Sequence, residues 1–332
     1  MAIKFIDGVQ IESIACTVAK KKVAVQDYVA DLFPTEKSIK RFTKTTGFTH
    51  LRISDDNVTT ADLSAKSAEM ILSETAREEI EAIVFLTQTP DYVLPATGHI
   101  LQDRLALKRN ILCIDANEGC AGYVTGLYLA AVIANNLKAK VLLVGGDTSS
   151  KVTYSEDRTT RSIFGDAGFA TLISPNDKKL AFDFQSYGNL YDAIIMENSR
   201  HRIVDNPKNN SLLYMDGNAV MDFSLDEVPE AVENFLRELN LTTSDISLFA
   251  CHQPNKLILE SLAKELKVPN EKLPFIAAET GNTSSASIPL MLSTCADKDL
   301  NQVLCVGFGI GMAIGICMAD FSQTKFYEVT EL

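Results

Sequence analysis

Ile111-Leu112-Cys113-Ile114-Asp115-Ala116-Asn117-Glu118-Gly119-Cys120-Ala121-Gly122-Tyr123 is the stretch that decides how this chain folds. It begins as an apolar run of strand length and continues, through Gly-Cys, into a segment of helical length rich in Ala and Gly. A strand that runs straight into a helix sets Cys120 at the strand's open end and at the helix start. There the backbone dipole favours a thiolate, so a lowered thiol pKa is the expectation.

The same strand–helix unit recurs. Ile83 to Gln88 answers to Leu248 to Gln253, and Ile111 to Asn117 followed by Gly119-Cys120 answers to Pro274 to Thr280 followed by Gly281-Asn282. Val141 to Gly146 answers to Val303 to Phe308, and the offset stays near roughly 162–165 residues throughout. A further apolar strand follows each third one, Gly168 to Ile173 or Met312 to Cys317. Helices are expected over residues 60–77, 97–107, 120–136, 226–240, 255–267 and 283–296. Near-continuous apolar strands alternating with helices predict α/β halves on mixed sheets, buried on both faces. The small residues after Cys120 and after Asn282 suit two central helices in close contact. In such a duplication Cys120 and Asn282 hold equivalent positions and His252 ends a strand. All three then fall at carboxyl ends of strands, where α/β folds bind ligands.

The chain has 332 residues, 46% of them hydrophobic and 22% charged, enough for a large core in two halves. Its longest apolar run, around residues 303–318, is cut by Gly307, Gly309, Gly311 and Gly315, so no membrane span is expected. The Gly307–Gly311 run lies between two apolar strands with no phosphate-binding helix after it, which makes it a turn. The N-terminus lacks a secretion leader, and a cytoplasmic protein is the simplest inference. A net charge of −12 argues against nucleic acid as a partner. Seven scattered cysteines without CxxC or Cys/His ligand spacing argue against zinc and a disulfide framework.

Cys120, the segment Cys251-His252-Gln253-Pro254-Asn255 and the segment Gly281-Asn282-Thr283-Ser284-Ser285-Ala286-Ser287 supply a nucleophile, a base and an amide, a set suited to acyl transfer. With Phe164-Gly165-Asp166-Ala167-Gly168 and Gly307-Phe308-Gly309-Ile310-Gly311, in this order, the chain resembles the thiolase superfamily along its whole length. It is most similar to the β-ketoacyl-acyl-carrier-protein synthase III branch. The resemblance implies two pseudo-symmetric halves, residues 1–175 with the nucleophile and 176–332 with His and Asn. Each half would hold a mixed five-stranded sheet, in α-β-α-β-α layers. It implies that Cys120 takes an acyl group from a thioester and that a malonyl thioester then loses CO₂ and condenses with it. His252 and Asn282 would donate to the enolate oxygen, and the N–H groups of Cys120 and Ile310 would hold the tetrahedral oxyanion.

By the same resemblance no cofactor is needed beyond acyl-CoA or acyl-carrier and malonyl-carrier substrates. The expected partners are an acyl carrier protein and a second copy of the chain. Leu94, before Pro95-Ala96-Thr97, resembles the segment by which a partner subunit closes the acyl pocket, and a Leu there suits an apolar chain rather than a polar primer. Asn255, Lys256 and Lys264 after His252, and Lys37, Lys40, Arg41 and Lys44 on the other wall, are candidates for binding substrate or carrier.

Several positions depart from the branch. There is no Trp to stack on adenine, and Arg41 occupies that neighbourhood. Leu257 replaces an Arg after the histidine motif. Glu118 stands two residues before Cys120, where it either raises the thiol pKa or faces a solvent or subunit boundary. Asn282 also reads as a helix cap. Two rival chemistries remain. One is a thiolase, with Cys305 as acid/base, against which stands Asn282 in place of a thiolase histidine. The other is an acyltransferase with His252 as base and no decarboxylation.

Overall fold

A computed structural model of the chain describes residues 3–199 and 201–332. The first half begins with β1 (Lys4–Val18) and an excursion of β2 (Lys21–Ala24), α1 (Val25–Tyr28), α2 (Glu36–Thr46) and β3 (His50–Ile53). It continues through α3 (Thr60–Leu72), β4 (Ile80–Leu86), α4 (Thr97–Arg104), β5 (Leu112–Ala116) and α5 (Gly122–Leu137). Then come β6 (Lys140–Asp147), the single turn α6 (Arg158–Arg161) and β7 (Ala167–Ser186). The second half holds β8 (Ile194–Ile195), β9 (Tyr214–Met215), α7 (Gly217–Glu238), β10 (Leu248–Cys251) and α8 (Lys256–Glu265). It ends with α9 (Ser287–Thr294), β11 (Val303–Gly309), β12 (Ala313–Ala319), β13 (Lys325–Phe326) and β14 (Thr330–Glu331).

The two halves are mixed, as expected, but their sheets are fused. One arm runs β5-β4-β6-β7 and the other β10-β11-β12-β7, with β1 antiparallel to β7 along most of its length. The 20-residue β7 pairs with β6 through its first part and with β12 through its last. The expected boundary between residues 175 and 176 therefore falls inside a strand. Where the repeat calls for a counterpart of β5, Pro274–Thr280 forms no strand. Pro274 has no N–H to give a ladder. Gln253 tethers the segment instead, donating from Nε2 to Pro274 O (3.2 Å) and accepting at Oε1 from Ile276 N (2.9 Å).

Period-two alternation builds the layers. Val84 and Leu86 of β4, with Leu248, Ala250, Val303 and Cys305, face a central layer of α5 and α9 residues such as Tyr123, Leu127 and Ile288. Ile83, Phe85, Leu142 and Val144 point the other way, onto α3. Phe249, Leu304 and Val306 point onto α7 and α8. Helix, sheet, helix, sheet, helix is the result. Two helices start elsewhere than expected. Helix α7 begins at Gly217 because Asp216 caps it, accepting from Asn218 N (3.0 Å) and Ala219 N (3.1 Å). Helix α9 begins at Ser287 after a tight turn over Ser284–Ala286. Among the described residues no helix is long and apolar enough to cross a membrane.

Candidate active site

Cys120 lies between β5 and α5, two residues before the helix proper. The end of β11 passes directly over it. Gly309 has φ +141°, and a Cβ there would come within 2.8 Å of Cys120 Cβ and 3.2 Å of its Sγ. Only glycine allows that approach. The N–H groups of Ile310 and of Cys120 itself point at the sulfur, and Ser284 Oγ lies 4.0 Å from it.

His252 follows β10, its N–H donating to Val306 O at 2.8 Å. Its Nδ1 lies 2.8 Å from Ser287 Oγ, and that hydroxyl donates to Ser284 O at 2.7 Å. Since the serine proton is committed, Nδ1 must be the protonated nitrogen and Nε2 carries the lone pair. Asn282 is strapped to the first half, its N–H donating to Ile163 O (2.8 Å) and its carbonyl accepting from Gly165 N (3.0 Å). Gly165 is bare because any Cβ would collide with Thr280 O. Asn282 Oδ1 accepts from Ser284 N at 2.9 Å, which leaves the amide N–H groups for other partners.

These three side chains line one cavity of about 590 Å³, along with Arg41, Asn255, Met215 and Phe308. Phe33 and Arg158, stacked at 5.4 Å, also face it. A second cavity, of about 710 Å³, holds Gln88, Asp91, Asp147, Ser149, Ser284 and Ile310. Cys120, Phe164 and Ile194 belong to both, so the thiol stands at their junction.

Electrostatics reverses one expectation. Burial, and then the Asp147 carboxylate, push the Cys120 thiol up to about 11, where the helix dipole was expected to lower it. The sulfur sits ahead of the helix and out of water, so desolvation outweighs the dipole. Burial likewise drives His252 down to about 3. The resting pair is thus a neutral thiol and a neutral imidazole. In this tautomer Nε2 of the neutral ring accepts first, and it donates once it has taken a proton. Asp147 is itself raised by burial; it accepts from Gln88 N (2.8 Å), Thr87 Oγ1 (3.1 Å) and Ser285 Oγ (2.8 Å), joining β4 to the turn that carries Asn282. Glu118 is half-buried with its carboxyl raised by burial, and it lines neither cavity.

Other expected residues are spread out. Asn255 caps α8, accepting from Ile258 N at 2.9 Å, while lining the first cavity. Lys256, 3.6 Å from Glu260, lines a separate groove with Lys40 and Lys44. Lys264 sits in the last turn of α8, outside that groove. Leu94 is 79% exposed and lines neither cavity of its own chain, although its neighbours Tyr92 and Val93 line the second. The wall of that second cavity mixes polar residues such as Gln88, Ser149 and Asp147 with apolar ones such as Val93, Val152, Ile194 and Leu213. Cys305 is buried in β11 away from both. Asp147, Ser287 and the Phe33–Arg158 pair escaped the sequence reading. Asp147 ends an apolar strand, the same signal that singled out His252.

Models of the 3-oxoacyl-[acyl-carrier-protein] synthase III family match residues 114–188, and for its C-terminal part residues 236–321. The β-ketoacyl-[acyl-carrier-protein] synthase III of Natranaerobius thermophilus is 31% identical over 85% of this chain and 91% of its own. That of Streptococcus sanguinis is 31% identical over 90% and 94%. The crystal structure of a 3-oxoacyl-(acyl-carrier protein) synthase from Burkholderia xenovorans superposes with a TM-score of 0.90 at 29% identity, covering 98% of this chain and 99% of that one. With this likeness running through both halves, the chain belongs to the 3-oxoacyl-[acyl-carrier-protein] synthase III family of acyl-transferring condensing enzymes.

Proposed function

We propose that Cys120 accepts an acyl group from a thioester and that a malonyl thioester then condenses with it, losing CO₂. One observation carries this: Cys120, His252 and Asn282, from three distant segments, line a single cavity. His252 Nδ1 and Asn282 Oδ1 are spent on the Ser284–Ser287 turn, which leaves Nε2 and the amide N–H for substrate.

In the first half-reaction the Cys120 sulfur bonds to the thioester carbonyl carbon while its proton passes to His252 Nε2. The oxyanion draws on the N–H groups of Cys120 and Ile310. Collapse breaks the old C–S bond, and the departing thiolate takes the proton from His252. In the second, the malonyl C–CO₂ bond breaks and its electrons move to the thioester oxygen, which Asn282 stabilises as a donor. The enolate carbon attacks the acyl carbon and Cys120 leaves as thiolate. This half-reaction consumes one proton. His252 Nε2 takes that proton from solvent, shares it with the enolate oxygen and passes it to the Cys120 sulfur. Loss of one such donor costs about 3–4 kcal/mol of transition-state stabilisation. Keeping both groups neutral at rest avoids burying an ion pair before substrate arrives.

Residues 1–175 would then act as the half bearing the nucleophile and 176–332 as the half bearing His and Asn, with no cofactor beyond the thioesters. Lys40, Lys44 and Lys256, brought together where α2 meets α8, support docking of an acidic carrier beside the first cavity. Arg41 faces the cavity itself. A homodimer is supported by β5, whose outer edge is unpaired, and by Tyr92, Val93 and Leu94, exposed by 60%, 64% and 79%. Across that edge Leu94 would reach the partner's second cavity. Seven free thiols suit a reducing cytoplasm.

Intact-mass measurement with a panel of acyl thioesters tests the reading. The wild type should gain one acyl mass, Cys120→Ala none, and malonyl carrier should then release CO₂. Acyl transfer without CO₂ would leave the acyltransferase alternative instead.

A further inference from the structure

Asn282 and His252 are aimed by one short turn, and that turn is anchored from the other half of the chain. The backbone of Asn282 is strapped to Ile163 and Gly165, but its carboxamide takes its orientation from Ser284 N, 2.9 Å from Oδ1. His252 reaches the same turn through Ser287 Oγ, which donates to Ser284 O. Where Ser284 stands therefore decides where both side chains point.

Ser284 would not hold that place unaided. Its φ of +51° lies in the left-handed region, costly for a residue with a Cβ and kept where the surroundings over-determine it. The next residue supplies the anchor. Ser285 donates to Asp147 Oδ2 from Oγ at 2.8 Å and from N at 3.4 Å. The other carboxylate oxygen, Oδ1, accepts from Gln88 N at 2.8 Å and Thr87 Oγ1 at 3.1 Å, at the end of β4. Asp147 thus clamps the turn of the second half to a strand of the first. Each oxygen accepts a backbone N–H, which suits the ionised form and counters the effect of burial. An asparagine of the same shape would serve one side alone, because its Nδ2 would face another N–H. The same buried charge lies near enough to Cys120 to disfavour a thiolate there.

We propose that Asp147 is a positioning residue for the condensing step, holding the Ser284–Ser287 turn through Ser285 so that Asn282 and His252 converge on substrate, while its fixed charge bears on the Cys120 sulfur. This rests on the roles assigned above to Cys120, His252 and Asn282, and it adds the residue that keeps them in register. Two effects follow, and they separate. Breaking the clamp harms decarboxylation more than acyl loading, because Asn282 serves the second half-reaction. Removing the charge frees the thiol to ionise.

The experiment uses Ser285→Ala, which breaks the clamp and keeps the charge, and Asp147→Asn, which removes the charge and spoils one side of the clamp. Loading is followed by mass gain from butyryl-CoA, condensation by CO₂ release from malonyl carrier, and thiol ionisation by iodoacetamide alkylation of Cys120. Ser285→Ala should release CO₂ about tenfold more slowly or worse, lose less in loading, and alkylate no faster than wild type. Asp147→Asn should also release CO₂ slowly, yet alkylate about tenfold faster from about pH 7 to 9, the worth of one pKa unit. Melting temperatures confirm folding, and if Asp147→Asn does not fold, the Ser285→Ala rates decide. The inference is overturned if Ser285→Ala releases CO₂ at the wild-type rate, if it slows both steps equally, or if folded Asp147→Asn alkylates no faster. Should wild type and both variants condense alike, the Asp147 role alone falls. Should wild-type Cys120 gain no acyl mass, the condensing reading falls and this role with it.

Discussion

Ser287→Ala removes one oxygen that touches no substrate in the proposed mechanism, yet it should slow the reaction. In the native protein Ser287 Oγ accepts from His252 Nδ1 at 2.8 Å and donates to Ser284 O at 2.7 Å, all of it buried. Truncation strands an N–H and a carbonyl, each worth about 1–3 kcal/mol when left unmet. Both are relieved if the imidazole turns its Nδ1–H directly onto the Ser284 carbonyl, which already draws on it. The net loss of stability should then be only about 1 kcal/mol. Catalysis bears the larger cost. Rotation moves Nε2 off the line to Cys120, and a misplacement of about 1 Å costs up to 10²-fold. The expected result is kcat down about 10- to 100-fold with the melting temperature lowered by no more than about 3 °C. Rapid-quench acylation of Cys120, followed by CO₂ release, measures both half-reactions. Ser287→Thr keeps the hydroxyl and should recover most of the rate. Wild-type kcat in Ser287→Ala, or an equal loss in Ser287→Thr, would refute the orienting role.

The pH dependence of stability follows from His252, which titrates near 3 in the fold against an ordinary 6.5. Between those values the unfolded chain binds a proton that the native one does not. Stability is therefore full above about pH 6.5 and falls as pH drops, by up to about 1.4 kcal/mol per unit. Melting temperatures from pH 4 to 7 should show a flatter slope for His252→Gln, and an unchanged slope would contradict the burial argument. Gly309→Ala should abolish acyl loading at least 100-fold, because its Cβ would fall 2.8 Å from that of Cys120, and normal loading by intact mass would show that the contact is not tight. Reversing Lys44 and Lys256 to Glu should raise KM for malonyl carrier about tenfold at low salt and less at high salt. A constant KM would move the docking surface elsewhere.

Much of this molecule is written in local pattern. Strands β4, β6, β10 and β11 are apolar on both faces, so each must be covered by helices on two sides, and that requirement alone calls for a layered α/β fold. Cys120 and His252 stand out because each interrupts or ends such a strand. The counterpart of β5 misled because apolar content does not report a missing donor, and Pro274 decides against a strand whatever its neighbours prefer. The start of α7 misled because Asp216 acts through its side chain nine residues or more ahead of the expected helix.

What the sequence by itself determined was the layering, the repeat and the three chemically capable side chains, since period, order and residue type need no knowledge of what lies opposite. Protonation states, tautomers and the residues that meet in each cavity were decided only by tertiary packing. The helix start suggested a thiolate, but enclosure of Cys120 beside Asp147 holds it as a thiol. Desolvation and hydrogen-bond commitment depend on groups some 30 to 160 residues away along the chain, such as Ser284 for Cys120, and no local pattern encodes who those neighbours will be.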